Sequence, residues 1–242
     1  MTERITPARK RSVLLSFGTC FGLAGMTTPV QASSAVINRP MVVSLQDISA
    51  VDTAWMMTST ILVLLMTLPG IALFYGGMLR RKNVLNTMAS VVAIAALVSL
   101  LWFALGYSLA FTPGNGWIGS DSRFWFAGLD FSAVHQKVSV NHLAPHVPEA
   151  AFAMFQLAFA VITAALLVGA WVERMRFGAM LIFVGLWSLL VYAPIAHWVW
   201  EPGGWLARLG ALDFAGGTVV HVNAGIAGLV CARMLGPRKG YG

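Results

Sequence analysis

Asp213-Phe214-Ala215-Gly216-Gly217-Thr218-Val219-Val220-His221 opens an apolar run that reaches Leu235. The run is long enough to cross a bilayer, and ionisable side chains there need a partner or a water-filled cavity and by default mark a pathway. On an α-helix an eight-residue separation sets Asp213 and His221 about 80° apart around the axis and roughly 12 Å apart along it, so one face can carry both. Asp213 falls at the expected helix start. A carboxylate there accepts orphan backbone N–H groups and opposes the positive end of the helix dipole, which by itself is sufficient reason for an acid at this position. His221 lies two turns further in and cannot be a cap. Gly216, Gly217, Gly225 and Gly228 around it let another backbone or a small solute come close.

Working outward, 58% of the 242 residues are hydrophobic and only 10% are charged, which points to an all-α polytopic membrane protein. The net charge of +7 falls to +4 without residues 1–32, leaving twelve basic and eight acidic side chains. Those that remain flank the apolar runs, so the basic balance is read as orientation, and no nucleic-acid partner is expected. Cys20 and Cys231 fall in a leader and in a predicted span, which leaves no disulfide framework.

Residues 1–32 read as a cleavable signal peptide: a basic start ending at Arg11, an apolar stretch from Val13 to about Met26, and Val30-Gln31-Ala32 at the cleavage site. The competing reading, a sixth span, is opposed by Gly18, Gly22, Gly25, Pro29 and the shortness of the run. Residues 33–52 form an exported lead-in. Five spans follow, at about 53–79, 84–111, 149–172, 177–198 and 214–235, and residues 237–242 are a cytoplasmic end. With the mature N-terminus outside, the inner ends carry Arg80, Arg81, Lys82, Arg174, Arg176, Arg233, Arg238 and Lys239. The outer loops hold only Arg123, Lys137 and Arg208, so the positive-inside rule is met at every turn.

Three aromatics are candidates for more than packing. Phe155 and Phe159 are four residues apart on the third span, and Trp200 ends the fourth, before Glu201-Pro202-Gly203-Gly204. An aromatic face attracts a cation, Trp most strongly, although a Phe pair at that spacing is ordinarily packing. Other tryptophans near the span ends read as interfacial anchors. In the long outer loop His142 and His146 have a metal-compatible spacing, with His135 and Glu149 nearby. Pro145 and Pro148 deny them a helix, so a solvated loop is expected and no metal or other cofactor. Glu173-Arg174 reads as an ion pair or an interfacial charge. No constellation for catalysis stands at one depth, so a membrane enzyme is not expected.

The segment from Asp213 to His221 resembles the signature of the ammonium transporter family, the superfamily of Amt, methylammonium permease and Rhesus proteins. Asp52-Thr53-Ala54-Trp55-Met56-Met57, Leu68-Pro69-Gly70-Ile71-Ala72-Leu73-Phe74-Tyr75-Gly76-Gly77, Lys82-Asn83-Val84-Leu85, Gly106-Tyr107-Ser108-Leu109-Ala110-Phe111 and Pro194-Ile195-Ala196-His197 resemble bacterial members, in order, from about Asp52 to Gly236. The resemblance implies an eleven-helix fold built from two inverted five-helix halves plus a last helix, of which 53–236 would be the N-terminal half. It implies ammonium or methylammonium as substrate, a homotrimer in the bacterial inner membrane, and a PII-type signal protein as a partner at the cytoplasmic face. By the same resemblance Trp200 and Phe155 hold ammonium by cation–π contact, Phe159 is the outer of two stacked gate phenylalanines, Asp213 is the essential acid acting through backbone and water, and His221 is the first of two pore histidines.

That arrangement is physically sensible. A bare cation is too costly in a dry pore, so passage as neutral ammonia is favoured, and imidazole can accept from or donate to it. The second histidine and second phenylalanine belong to the absent half, so a truncated copy or a fragment is expected, with His221 on an open face. Glu201 stands where glycine is more usual and would strengthen cation recruitment. The alternatives are an ammonium sensor built on the same fold, or half of an unrelated secondary transporter.

Overall fold

The computed structural model describes residues 41–238. The signal peptide expected at 1–32, the lead-in before residue 41 and the last four residues lie outside the described part. Among the described residues, five helices are long and apolar enough to cross a membrane: α1 (Ala50–Gly77), α2 (Arg81–Phe111), α3 (Glu149–Trp171), α4 (Phe177–Arg208) and α5 (Gly217–Leu235). Lipid hydrogen-bonds no backbone, so chains crossing it close their hydrogen bonds internally and become helices wherever the apolar run is long enough.

The third helix is the hub. Two thirds (67%) of its most apolar window is buried, against 28% for α1 and α5 and 39% for α2 and α4. The residues that bury it include Ala153, Ala158, Ala160, Ala164 and Ala165, small enough for neighbouring backbones to approach closely where apolar attraction between helices is weak. Trp102 reinforces one seam by donating from Nε1 to the Ala153 carbonyl at 3.1 Å. Tyr75 does the same at another, to Leu166 O at 2.9 Å.

Four helices widen into a π-turn: Met66–Ile71, Trp102–Gly106, Ser188–Tyr192 and Gly217–Val222. Pro69 lies within the first, and Pro194 two residues after the third. A proline lacks the N–H and crowds the carbonyl four residues back, and a wider turn relieves both. The helix of α4 runs to Trp200, turns through 201–204 and adds one helical turn at Trp205–Arg208.

The segment between α2 and α3 is more ordered than the solvated loop expected from sequence. It forms β2 (Phe131–Ser132), β3 (Lys137–Asn141) and β4 (Ala144–Pro148), joined by β1 (Met41–Ser44) from the lead-in. All pairings are antiparallel to β3, with Met41 opposite Val140, Phe131 opposite Val138, and Asn141 opposite Ala144. Buried Val138 and Val140 supply its apolar contacts.

A charged pair fastens this sheet end to the bundle. Arg123 donates from Nε and Nη2 to the two carboxylate oxygens of Glu149, both at 2.9 Å, and both residues are buried. Tyr107 donates to Glu149 Oε1 at 2.9 Å and accepts from Asn141 Nδ2 at 3.0 Å, so the carboxylate is fully engaged. At the opposite end Glu173 and Arg174 do not pair with each other, contrary to the simplest sequence reading. Glu173 accepts from Asn83, and Arg174 donates to the carbonyls of Ala170 and Gly236.

Candidate functional site

The helix of α5 begins at Gly217, not at Phe214, and Asp213 precedes it in irregular chain. Its side chain reaches forward across the helix start. Oδ1 accepts from Gly216 N at 2.6 Å and Gly217 N at 2.9 Å, and Oδ2 accepts from Thr218 N and Val219 N, each at 2.9 Å. One carboxylate thus meets four donors that a helix start leaves open, where negative charge is also favoured by the dipole. Gly216 makes the approach possible. Its φ of 83° is left-handed, and a Cβ there would stand 2.6 Å from Val220 Cγ2.

Trp200 is held against this corner. Its Nε1 donates to the Asp213 carbonyl at 3.1 Å. The ring stacks on Phe111 with centroids 6.1 Å apart and planes at 17°, and meets Phe159 edge-on at 5.9 Å. Phe159 in turn meets Phe155 edge-on at 5.0 Å. Between these groups lies a recess of about 240 Å³, lined by Phe155, Gln156, Phe159, Trp200, Asp213 and Phe214, with Phe111 and Phe152 beside them. Four of the five residues singled out from sequence therefore converge on one hollow.

His221 is the fifth, and it is elsewhere. It belongs to the π-turn of α5, is exposed, and has no side-chain hydrogen bond among the described residues. It is absent from the lining of the recess. The angle of about 80° between Asp213 and His221 assumed 3.6 residues per turn. It does not carry over, because Asp213 is outside the helix and the turns between are wider.

The charge balance of the hollow follows from these bonds. Aromatic faces present negative potential to a cation without a strongly hydrated ligand. The carboxylate oxygens of Asp213 at the edge of the hollow are both committed to backbone N–H groups.

Glu201 does not line the recess. It is 1% exposed, and His142 Nε2 lies 2.9 Å from each of its carboxylate oxygens. The residue following Trp200 is thereby tied to the turn after β3. His146 faces Asp47, with Nδ1 at 3.1 Å from the Asp47 carbonyl. The two histidines stand around β4 and not on a helix, and among the described residues no cluster of three or more metal-binding side chains is found. Sequence reasoning did not pick out Phe111, Gln156 or the partner of Glu201. The available signals were a charge that needed a partner in Glu149 and Arg123, and a polar amide between two phenylalanines.

The described residues thus form a five-helix bundle of membrane-spanning character with an aromatic recess beside a carboxylate-capped helix start. The family model described as Ammonium Transporter Family matches residues 54–242, and the chain belongs to that family. It is 50% identical over 188 residues to the ammonium transporter of Bacillus subtilis, an alignment covering 78% of this chain and 44% of the relative. For the ammonium transporter of Mycobacterium tuberculosis the identity is 48% over 207 residues, covering 78% and 43%. Among solved structures, Candida albicans Mep2 superposes with a TM-score of 0.71 at 37% identity, covering 81% of this chain and 42% of that one. A sensor Amt protein superposes with a TM-score of 0.66 at 28% identity, covering 78% and 45%. The chain therefore spans less than half the length of the curated relatives it matches.

Proposed function

We propose that this chain forms the entry side of an ammonium pathway across a bacterial inner membrane. The observation that carries the reading is the convergence of Phe155, Phe159 and Trp200 on one recess beside Asp213. In this reading the sheet end faces outward, the arginine-rich end faces the cytoplasm, and the leader is removed. Ammonium leaves water for the faces of Trp200 and Phe155, its charge offset by the field of Asp213. Phe159 closes the hollow on its inner side. Carrying a bare cation past it is prohibitive in hydrocarbon, so the proton is left behind with water on the outer side and neutral ammonia continues. His221 then serves further along, where imidazole can both donate and accept. The working assembly is a homotrimer of complete chains, with a PII-type protein as the cytoplasmic partner.

Methylammonium uptake by the full-length gene product in cells lacking their own transporters tests the reading. Trp200→Ala is expected to lower uptake at limiting substrate and His221→Ala to lower the maximal rate. Unchanged uptake in both variants would remove these assignments. A second reading, ammonium sensing, is favoured by the fold shared with the sensor Amt protein. It predicts ammonium binding without net uptake by the wild-type protein.

A further inference from the structure

Two residues that do not line the recess are tied to its wall. Glu201 follows Trp200 and is 1% exposed, and His142 Nε2 lies 2.9 Å from each of its carboxylate oxygens. A carboxylate only accepts, so Nε2 carries the proton and donates to both oxygens. Among the described residues the Glu201 side chain has no other hydrogen-bond partner. A buried charge left alone is costly, so the fold holds this carboxylate where the imidazole reaches it.

The backbone beside Trp200 is held with it. The helix segment of α4 that carries Trp200 ends at Glu201, whose backbone is extended with φ −79° and ψ 127°. The chain then turns, with Gly204 N donating to the Glu201 carbonyl at 2.8 Å. An indole has two side-chain torsions, so its place depends on where its own backbone stands and on what grips its far end. At Trp200 the far end is gripped by Asp213, whose carbonyl accepts from Nε1 at 3.1 Å. The near end is anchored by the neighbouring Glu201.

The anchor belongs to a turn in which three successive residues each hold a different part of the wall. Asn141 Nδ2 donates to the Phe111 carbonyl at 3.1 Å, and Phe111 is the ring on which Trp200 stacks. His142 holds Glu201. Leu143 lines the recess itself, and its N–H donates to Asn141 Oδ1 at 2.9 Å. The turn after β3 is thereby fastened to the same hollow at three points.

We propose that His142 is a positioning residue for Trp200, acting through the carboxylate of Glu201 to hold the indole in its place against Phe111. The inference rests on the recess being the site where the cation is recruited. A ring that spends part of its time elsewhere lowers apparent affinity by the fraction of time it is absent. Loss of the pair therefore weakens recruitment and leaves the steps beyond the recess unchanged.

Methylammonium uptake by the full-length protein, compared at equal surface levels, tests this. His142→Leu and Glu201→Met are each expected to raise the half-saturating concentration about five-fold, a usual coupling between residues in one contact network, with the maximal rate unchanged. His142→Gln keeps an N–H donor at the place of Nε2 and should stay near wild type. In a Trp200→Leu background neither His142→Leu nor Glu201→Met should add a further effect, because the ring they position is gone. Glu201→Met leaves no charge buried alone, so it carries the test should His142→Leu fail to reach the membrane. If Glu201 acted by its charge alone, the two variants would move half-saturation in opposite directions, and the Glu201→Met effect would persist without the indole. Either result, or unchanged half-saturation in both variants while Trp200→Leu is impaired, would overturn the positioning role and leave the recess intact. Unchanged uptake in Trp200→Leu itself would overturn the recess reading and this inference with it.

Discussion

Asp213 is the residue on which the site turns, because its single carboxylate receives four backbone N–H groups and its carbonyl fixes the ring of Trp200. Replacing one oxygen by an amide nitrogen reverses half of that arrangement. In Asp213→Asn two of the four N–H groups would face a donor, and the negative charge at the helix start would be gone. The expected outcome is a loss of about 2–3 kcal/mol in stability, seen as a lower melting temperature of the detergent-purified protein, together with loss of most uptake. Melting and uptake both at wild-type values would mean that the cap is incidental. The place of Asp213 just ahead of an apolar run already pointed to capping in the sequence. The partner of Glu201 was not legible in the same way: His142 is 59 residues distant, and only the folding of the loop after α2 brings them together.

Elements show the same division between what lipid dictates and what packing decides. The five helices could be read from hydropathy, because a bilayer leaves few backbone solutions. The sheet could not, since its longest strands, Lys137–Asn141 and Ala144–Pro148, have only five residues each and no turn signal that fixes their partners. The π-turns were equally hidden, because prolines announce an irregularity and not its form. What secures the sheet end is the buried Arg123–Glu149 pair, where a bidentate guanidinium meets the first residue of α3. Arg123→Met leaves Glu149 buried with only Tyr107 as donor, and removal of one partner from such a pair costs about 3–5 kcal/mol. The expected result is a protein whose loop between α2 and α3 is cut by protease at temperatures where the wild type resists. Glu149→Gln paired with Arg123→Met should recover part of the loss, because no charge then remains buried alone. Equal protease resistance in Arg123→Met and wild type would show that the strands hold the loop unaided.

At the scale of the molecule, α5 has too little of its surface covered for a helix carrying an imidazole. His221 is exposed, and Val222, Ile226, Leu229, Val230 and Met234 are exposed with it. For the apolar side chains a lipid neighbour is adequate. For His221 it is not, since a polar ring in hydrocarbon gives up its hydrogen bonds to water and receives nothing in return. The physical expectation is that in the working assembly the face bearing His221 borders a path for small polar solutes. A thiol distinguishes the two surroundings, because only its ionised form reacts readily, and ionisation needs water. In a background with Cys231 replaced by serine, His221→Cys should be modified by a small thiosulfonate reagent and protected by methylammonium. Leu186→Cys, on an exposed apolar surface of α4, should stay unmodified under the same conditions. If the thiol at 221 reacts no faster than the one at 186, while both react fully after denaturation, the imidazole faces lipid and the pathway must run along another surface.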